Sequence, residues 1–194
     1  MKGEKVKFKT KMISKEIPSD SRIKELKRWC EIFHKRNLAP PYEGGSHGNL
    51  SFRLNKKGDR FIITGSRIGL KNKLTPACFV EVVSCDLNKK TVHASGIRKP
   101  SSETMLHFAI YHKRKDVRAI FHGHSKKIIA SAKKLALPVT IKEAPYGTVK
   151  LTQRVLEILD GESFLVMKNH GFISVGKSMK EVGRHVLKIN KMCK

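Results

Sequence analysis

The chain has 194 residues, of which 39% are hydrophobic and 29% are charged, and its formal charge is +25 at pH 7. A chain of this length and composition buries roughly 70% of its unfolded surface, which argues against a disordered protein and against a need for disulfide staples. It contains no run of about 18 apolar residues, and residues 1–16 lack an apolar segment, so we expect neither a membrane span nor a signal peptide.

The predicted elements start with a basic arm over residues 1–20, in which Val6 and Phe8 alternate as in a strand. Residues 21–194 form a single domain in which helices and strands interleave. Its predicted helices span residues 22–37, 101–114, 125–135, 148–159 and 178–190. Its predicted strands span residues 50–54, 60–64, 79–85, 90–94, 117–122, 163–168 and 172–175. Tight turns join many of these strands, so we predict an α/β sandwich with a largely antiparallel sheet rather than a Rossmann sheet.

The charge arises because 41 Lys and Arg residues face 16 Asp and Glu residues. Such a balance favours partners that are polyanions, membrane surfaces or phosphorylated substrates. The lysines are spread along the chain and match no helix-turn-helix, RNP or basic-zipper pattern, so we do not expect nucleic acid to be the main partner. A lysine-rich surface without a special partner is the simpler alternative.

The four cysteines, Cys30, Cys78, Cys85 and Cys193, form no CxxC motif and show no zinc-ribbon spacing. We therefore predict reduced, mostly buried thiols in a cytoplasmic protein. A disulfide between Cys78 and Cys85 is conceivable, although no motif supports it.

Three of the nine histidines stand out. His122 and His124 end an apolar strand, and side chains two residues apart in a strand point to the same face. On a helix the same two side chains would diverge. His170 lies in an Asn-His-Gly turn between two apolar strands, which places it at the rim of the sheet. Three histidines are a familiar set for catalytic zinc, with the fourth position open for substrate.

The alternative interpretation is that the His-x-His spacing is accidental and that His170 is a turn residue. The six other histidines, which we assign to helix faces or to the surface, are His34, His47, His93, His107, His112 and His185.

A second group of polar residues lies at 99–103, where Pro100 precedes a predicted helix and Ser101 is its predicted N-cap. Free N–H groups and the helix dipole make such a terminus an anion site, and the hydroxyls of Ser101 and Ser102 add donors. Glu103 lies in the first predicted turn. Taken alone, Glu103 is better explained as an acid that interacts favourably with the helix dipole.

Two Gly/Ser loops offer further donors. The loop GGSHGN at 44–49 contains the hydroxyl of Ser46 and the amide of Asn49, and TGSR at 64–67 contains the hydroxyl of Ser66 and the guanidinium of Arg67. Both loops are candidates for anion binding, although glycine and serine also mark ordinary loops.

Taken together and in this order, these segments resemble the class II aldolase/adducin family. The matching segments are GGSHGNLSFR (44–53), FIITGSRIG (61–69), KPSSETMLHFAIYHKRKDVRAIFHGHS (99–125), EAPYGT (143–148) and LVMKNHGFISVGKS (165–178). The resemblance covers about residues 22–190. It implies a three-layer αβα sandwich around a mixed, largely antiparallel sheet, and a homotetramer with active sites between subunits.

The resemblance also implies the composition of the site. It makes His122, His124 and His170 the ligands of one zinc ion per chain, and it makes Glu103 the acid/base carboxylate. It assigns the substrate phosphate to Ser46, Asn49, Ser66, Ser101 and Ser102. The implied reaction is retro-aldol cleavage of a small ketose 1-phosphate to dihydroxyacetone phosphate and an aldehyde, with zinc stabilising the developing negative charge.

Two other reactions belong to the same scaffold, namely those of a ketose-phosphate 4-epimerase and of a methylthioribulose-phosphate dehydratase. A non-catalytic adducin-like binding module is a further alternative, against which the retained histidines and Glu103 argue. Family aldolases also carry a tyrosine in a longer segment after the His-x-His helix. Residues 135–143 form a short segment without tyrosine, so the proton donor to the aldehyde oxygen is not identified.

Overall fold

A computed structural model describes residues 8–55 and 58–193 of the chain. Its strands are β1 (Lys9–Ser14), β2 (Pro41–Tyr42), β3 (Gly45–Ser46), β4 (Asn49–Arg53), β5 (Phe61–Thr64), β6 (Phe79–Asp86), β7 (Thr91–Ser95), β8 (Ala119–Gly123), β9 (Phe164–Met167) and β10 (Gly171–Gly176). Its α-helices are α1 (Ile23–Lys35), α2 (Thr104–Lys113), α3 (Lys126–Ser131), α4 (Val149–Ile158) and α5 (Met179–Met192). A 3₁₀ helix spans Pro76–Cys78.

One large sheet organises the fold, with the strand order β1-β7-β6-β5-β4-β8-β10-β9 in the described part of the chain. The edge strand β1 runs parallel to β7, and the other neighbouring strands pair antiparallel. The sheet is therefore mixed and largely antiparallel, as predicted.

Helices cover both faces of this sheet. The first hydrophobic cluster combines one face with α1, α3 and α5, and the second combines the other face with α2 and α4. Along β8, Ala119 and Phe121 belong to the first cluster, whereas Ile120 belongs to the second. Central strands that are buried on both faces read as continuous apolar runs, which explains the sequence of β8. The predicted three-layer αβα sandwich agrees with this arrangement.

Part of the predicted N-terminal arm lies in the sheet. Residues 9–14 form β1, with Lys9 opposite Thr91, and Phe8 is buried in the second cluster. Val6 lies outside the described residues. This segment therefore adds one edge strand to the sheet of its own chain.

Two local predictions were wrong. Helix α2 begins at Thr104 rather than directly after Ser101, because Thr104 donates its N–H and its Oγ1 hydroxyl to the carbonyl of Ser101, at 3.1 and 2.7 Å. Glu103 consequently occupies the N-cap position instead of the first turn. Residues 38–48, where no strand was predicted, also contain the small hairpin of β2 and β3, whose turn passes through Gly44 at a φ of 80°.

Three other helices begin directly after the first residue of their predicted ranges. The hydroxyls of Ser125, Thr148 and Ser178 each accept the backbone N–H three residues later, which satisfies one otherwise free donor per helix. The cap at Ser125 turns the chain into α3 directly after His124.

The cysteines at 30, 78 and 193 are buried and the one at 85 is half-buried, and no disulfide joins any of the four in the described residues. Among the helices that the structure describes, none combines the length and apolar character that crossing a membrane requires.

Candidate active site

Three histidines converge at one end of β8. His122 is in the strand, His124 follows it, and His170 lies on the turn that leads into β10, the neighbour of β8. Their ring centroids are 4.8 to 5.1 Å apart, and one potential ligand nitrogen from each lies within 4.8 Å of the others. The period of two in an extended strand brings His122 and His124 to the same side, as the sequence predicted.

Hydrogen bonding fixes the orientation of His122. Its Nδ1 lies 2.7 Å from the carbonyl oxygen of Phe172, which can only accept, so Nδ1 carries a proton. Nε2 therefore faces the other histidines, and it lies 2.9 Å from Nε2 of His124 and 2.9 Å from Oε2 of Glu103. A backbone carbonyl that holds the distal nitrogen of an imidazole is the usual support of a metal-ligating histidine.

The donor set fits a metal ion. Zn–N bonds of about 2.0–2.1 Å place two ligand nitrogens of a tetrahedral ion about 3.3 Å apart, close to the separation of the His122 and His124 nitrogens. Burial, followed by the charges of His122 and His170, lowers the pKa of His124 to about 2, so its ring is neutral, as a metal ligand must be. Several lone pairs therefore face one small space, and a cation there would satisfy them.

Glu103 lies beside the histidines and is 4% exposed. Its Oε2 accepts a hydrogen bond of 2.8 Å from Nδ2 of Asn49, and its Oε1 lies 3.2 Å from Nε2 of His170. Burial raises the pKa of the Glu103 carboxyl, but His122 and His170 outweigh burial and hold that pKa well below its ordinary value. The side chain is thus an ionised carboxylate at neutral pH.

Sheet pairing explains the position of Asn49. It is the first residue of β4 and lies directly opposite His122 of β8 in the antiparallel ladder. Cross-strand partners project to the same face, so the amide reaches the carboxylate that His122 also contacts. Gly48 permits this approach, because a Cβ at that position would lie 2.6 Å from the carbonyl oxygen of His122, and its φ is 73°.

Backbone and side-chain contacts connect the three loops that carry the predicted phosphate ligands. Ser46 donates to the carbonyl of Gly69 at 2.7 Å, which joins the 44–49 loop to the 65–71 loop. The N–H of Ser66 donates to the carbonyl of Lys99 at 2.9 Å, which joins the 65–71 loop to the start of α2. Asn49 and Ser101 are buried, whereas Ser46, Ser66 and Ser102 are half-buried. The Ser101 hydroxyl accepts the N–H of Glu103 at 3.4 Å.

His47 lies next to the three converging histidines, although the sequence interpretation assigned it to a helix face or the surface. Its ring stacks on His124 with centroids 4.6 Å apart, and the ring of Tyr42 contacts it at a tilt, with centroids 4.9 Å apart. Burial, followed by the charge of His122, lowers the pKa of His47. Its position directly before the Gly48-Asn49 pair was the one sequence signal that could have identified it.

His107 lies on a face of α2, in line with the sequence interpretation, but that face is buried. It is fully buried one helical turn after Glu103, and its Nδ1 lies 2.7 Å from the hydroxyl of Ser51, which lies 2.8 Å from the hydroxyl of Tyr111. Burial lowers the pKa of His107 to about 3, so the ring is neutral. This network anchors α2 to β4 beneath the site.

Comparisons with known proteins agree with this geometry. The family model for the Class II Aldolase and Adducin N-terminal domain matches residues 24–194. The L-fuculose phosphate aldolase of Methanococcus maripaludis is 32% identical over 168 residues, with 78% of this chain and 83% of the relative covered. The 5-deoxy-D-ribulose 1-phosphate aldolase of Bacillus thuringiensis is 29% identical, with 76% and 73% covered.

The fold has solved counterparts. An L-fuculose 1-phosphate aldolase structure superposes with a TM-score of 0.71 and covers 91% of this chain and 86% of that chain, at 23% identity. Because the family model spans most of the sequence, and because a relative above 30% identity aligns over most of both chains, the chain belongs to the class II aldolase and adducin family.

Proposed function

We propose that the protein is a zinc-dependent aldolase that cleaves a small ketose 1-phosphate into dihydroxyacetone phosphate and an aldehyde. The observation that carries this proposal is the buried carboxylate of Glu103, which lies within hydrogen-bond distance of two of the three converging histidines. The names of the relatives, which include a fuculose phosphate aldolase and a deoxyribulose phosphate aldolase, favour a short deoxyketose 1-phosphate as substrate.

In this proposal His122, His124 and His170 hold the zinc ion, with His122 oriented by the carbonyl of Phe172. The bound metal supplies Lewis-acid polarisation of the substrate's oxygen atoms. The neutral state of His124 leaves its nitrogen free to bind.

Glu103 is the proposed general base. As an ionised carboxylate it can remove a proton from the reacting carbon of dihydroxyacetone phosphate. In the cleavage direction it returns a proton to that carbon, while the C–C bond breaks and the hydroxyl on the carbon that becomes the aldehyde loses its own proton. Asn49 holds one carboxylate oxygen through Nδ2, which has a second N–H to offer a ligand. The carboxylate is thus positioned before substrate arrives.

The substrate phosphate is proposed to lie among the loops that carry Ser46, Asn49, Ser66, Ser101 and Ser102. The contacts from Ser46 to Gly69 and from Ser66 to Lys99 hold these loops together. A phosphate fixed there sets the register of the sugar, so that the bond to be cleaved meets Glu103.

The metal assignment predicts a defined stoichiometry. Elemental analysis of purified protein should find about one zinc per chain, and His122→Ala should lose most of it because three protein ligands are the usual minimum for such a site. His112→Ala is a matched control, since His112 is an exposed histidine at the far end of α2. Equal metal content in the His122 and His112 variants would rule the assignment out.

We also propose that the protein is a homotetramer, as the family resemblance implies. Sedimentation at micromolar concentration should then show a species about four times the 22.0 kDa mass of the chain. A single monomeric species would contradict this part of the proposal.

A test of the proposed function that needs no aldehyde is exchange of solvent deuterium into dihydroxyacetone phosphate. Zinc-loaded protein should catalyse the exchange, because only phosphate binding, metal and base are required. Fully metal-loaded protein without any exchange would contradict the proposal.

A further inference from the structure

Lys71 is a buried lysine whose ammonium is bonded to a neutral serine. Its side chain is 1% exposed, and its Nζ donates to the Ser46 hydroxyl at 3.1 Å and to the Ser46 carbonyl at 3.4 Å. None of the carboxylates in residues 8–55 and 58–193 forms an ion pair with it. Burial lowers the pKa of Lys71 to about 8. A buried ammonium with only neutral oxygen partners is unfavourable for folding, so its presence calls for a functional explanation.

The position of this ammonium provides one. Ser46, its partner, also donates to Gly69 and stands in the 44–49 loop that ends at Asn49. The 65–71 loop that carries Lys71 is bound through Ser66 to the loop before α2. Lys71 therefore lies next to the loops that we propose as the phosphate site, and it contacts them through Ser46.

We propose that Lys71 is a positioning residue of the phosphate site: its ammonium holds Ser46 and supplies the positive charge that a phosphate monoester dianion neutralises. This inference rests on the proposed function, because it takes the same loops as the phosphate site. The other nearby cations, Arg67, Arg98 and Lys99, are exposed and therefore screened by water and salt. A buried charge acts through a medium of lower dielectric constant and keeps its effect at high salt.

The inference predicts that replacing Lys71 raises the thermal stability of the ligand-free protein but weakens its binding of phosphate. Lys71→Met keeps the length of the side chain but removes the charge, so the ligand-free protein should melt at a higher temperature than wild type. Binding of inorganic phosphate should weaken at least about tenfold. A buried charge next to a dianion contributes more binding free energy than a contact at the solvent-exposed surface does. A side chain that served packing alone would lose no phosphate affinity on this change.

The experiment is thermal unfolding across a phosphate titration in about 0.5 M potassium chloride, where exposed cations contribute little. The melting temperature rises with ligand concentration, which gives the dissociation constant of phosphate. Lys73→Met is the matched control, because Lys73 is an exposed lysine two residues away. We expect Lys73→Met to match wild type in phosphate affinity.

A second comparison tests the buried charge itself. Between about pH 8 and pH 10.5 the unfolded chain binds more protons at Lys71 than the folded chain, so wild type should gain stability relative to Lys71→Met as pH rises. Cys30 and His47 are the titratable groups that interact with Lys71 in the part of the chain that the structure describes. Cys30 remains a thiol in this window because burial raises its pKa to about 12, and His47 remains neutral because burial lowers its pKa.

Equal phosphate affinity in Lys71→Met and wild type would overturn the inference. If Lys71→Met does not fold, Lys71→Gln, which retains a donor for Ser46, decides the matter in the same way. Suppose that the wild type releases dihydroxyacetone phosphate but the variants keep wild-type phosphate affinity. This result would reject the role of Lys71 and leave the proposed function intact. Absence of phosphate binding by wild type would reject both this inference and the proposed phosphate site.

Discussion

Glu103→Gln is expected to lower turnover by about 10²–10⁴-fold, which is the usual effect of removing a positioned general base. Glutamine has nearly the same shape and can still accept the hydrogen bond from Asn49, so the fold should persist. It cannot accept a proton from carbon. The measurement is the rate of deuterium exchange into dihydroxyacetone phosphate, accompanied by zinc content and the melting temperature.

Glu157→Gln serves as the control, because Glu157 is an exposed glutamate on α4. If Glu103 acted only on the helix dipole, its replacement would cost a fraction of a kcal/mol of stability and leave the rate nearly intact. A Glu103→Gln protein with full zinc and wild-type exchange would therefore disprove the base assignment.

Arg53→Met is expected to destabilise the protein by about 3–5 kcal/mol, because it leaves several buried carbonyl oxygens without donors. The Arg53 side chain is buried, and its guanidinium donates to the carbonyls of Val117, Tyr111 and Arg114 and to Gly58. It also lies over the ring of Tyr111 at 4.7 Å. The residue thus ties the end of β4 to the end of α2 and the start of β8.

Urea unfolding measures this loss of stability, and Arg60→Met is the matched control. Arg60 pairs with Glu81, but its side chain is 50% exposed. Exposed ion pairs contribute about 0–1 kcal/mol, so this control should unfold near the wild-type midpoint. Comparable losses in the two variants would show that the buried contacts of Arg53 are not what stabilises this corner of the fold.

The sequence allowed much of the fold and the convergence of three histidines to be predicted, because both depend on short-range periodicity. The period of two along 117–124 placed His122 and His124 on one face, and the Asn-His-Gly turn placed His170 at the rim of the sheet. The apolar runs in β5 and β8 reflect strands covered on both faces.

Other features depended on contacts between distant segments. Nothing local distinguishes Lys71 from exposed lysines such as Lys73, because its burial results from the packing of its loop against Ser46. The buried ring of His107 likewise forms its hydrogen bond with Ser51, which is 56 residues away in the sequence. The start of α2 was predicted too early. In the folded protein Ser101 accepts hydrogen bonds from Glu103 and Thr104 in a turn before the helix, and the sequence does not indicate that turn.

The most direct test of the proposed aldolase is the release of dihydroxyacetone phosphate from ketose 1-phosphates by the zinc-loaded protein. L-Fuculose 1-phosphate and 5-deoxy-D-ribulose 1-phosphate are the first substrates to compare, since relatives carry these names. We predict release from at least one of them, loss of release after chelation, and recovery when zinc is restored. No release from either substrate or from a wider panel of ketose 1-phosphates, by protein with one zinc per chain, would contradict the account.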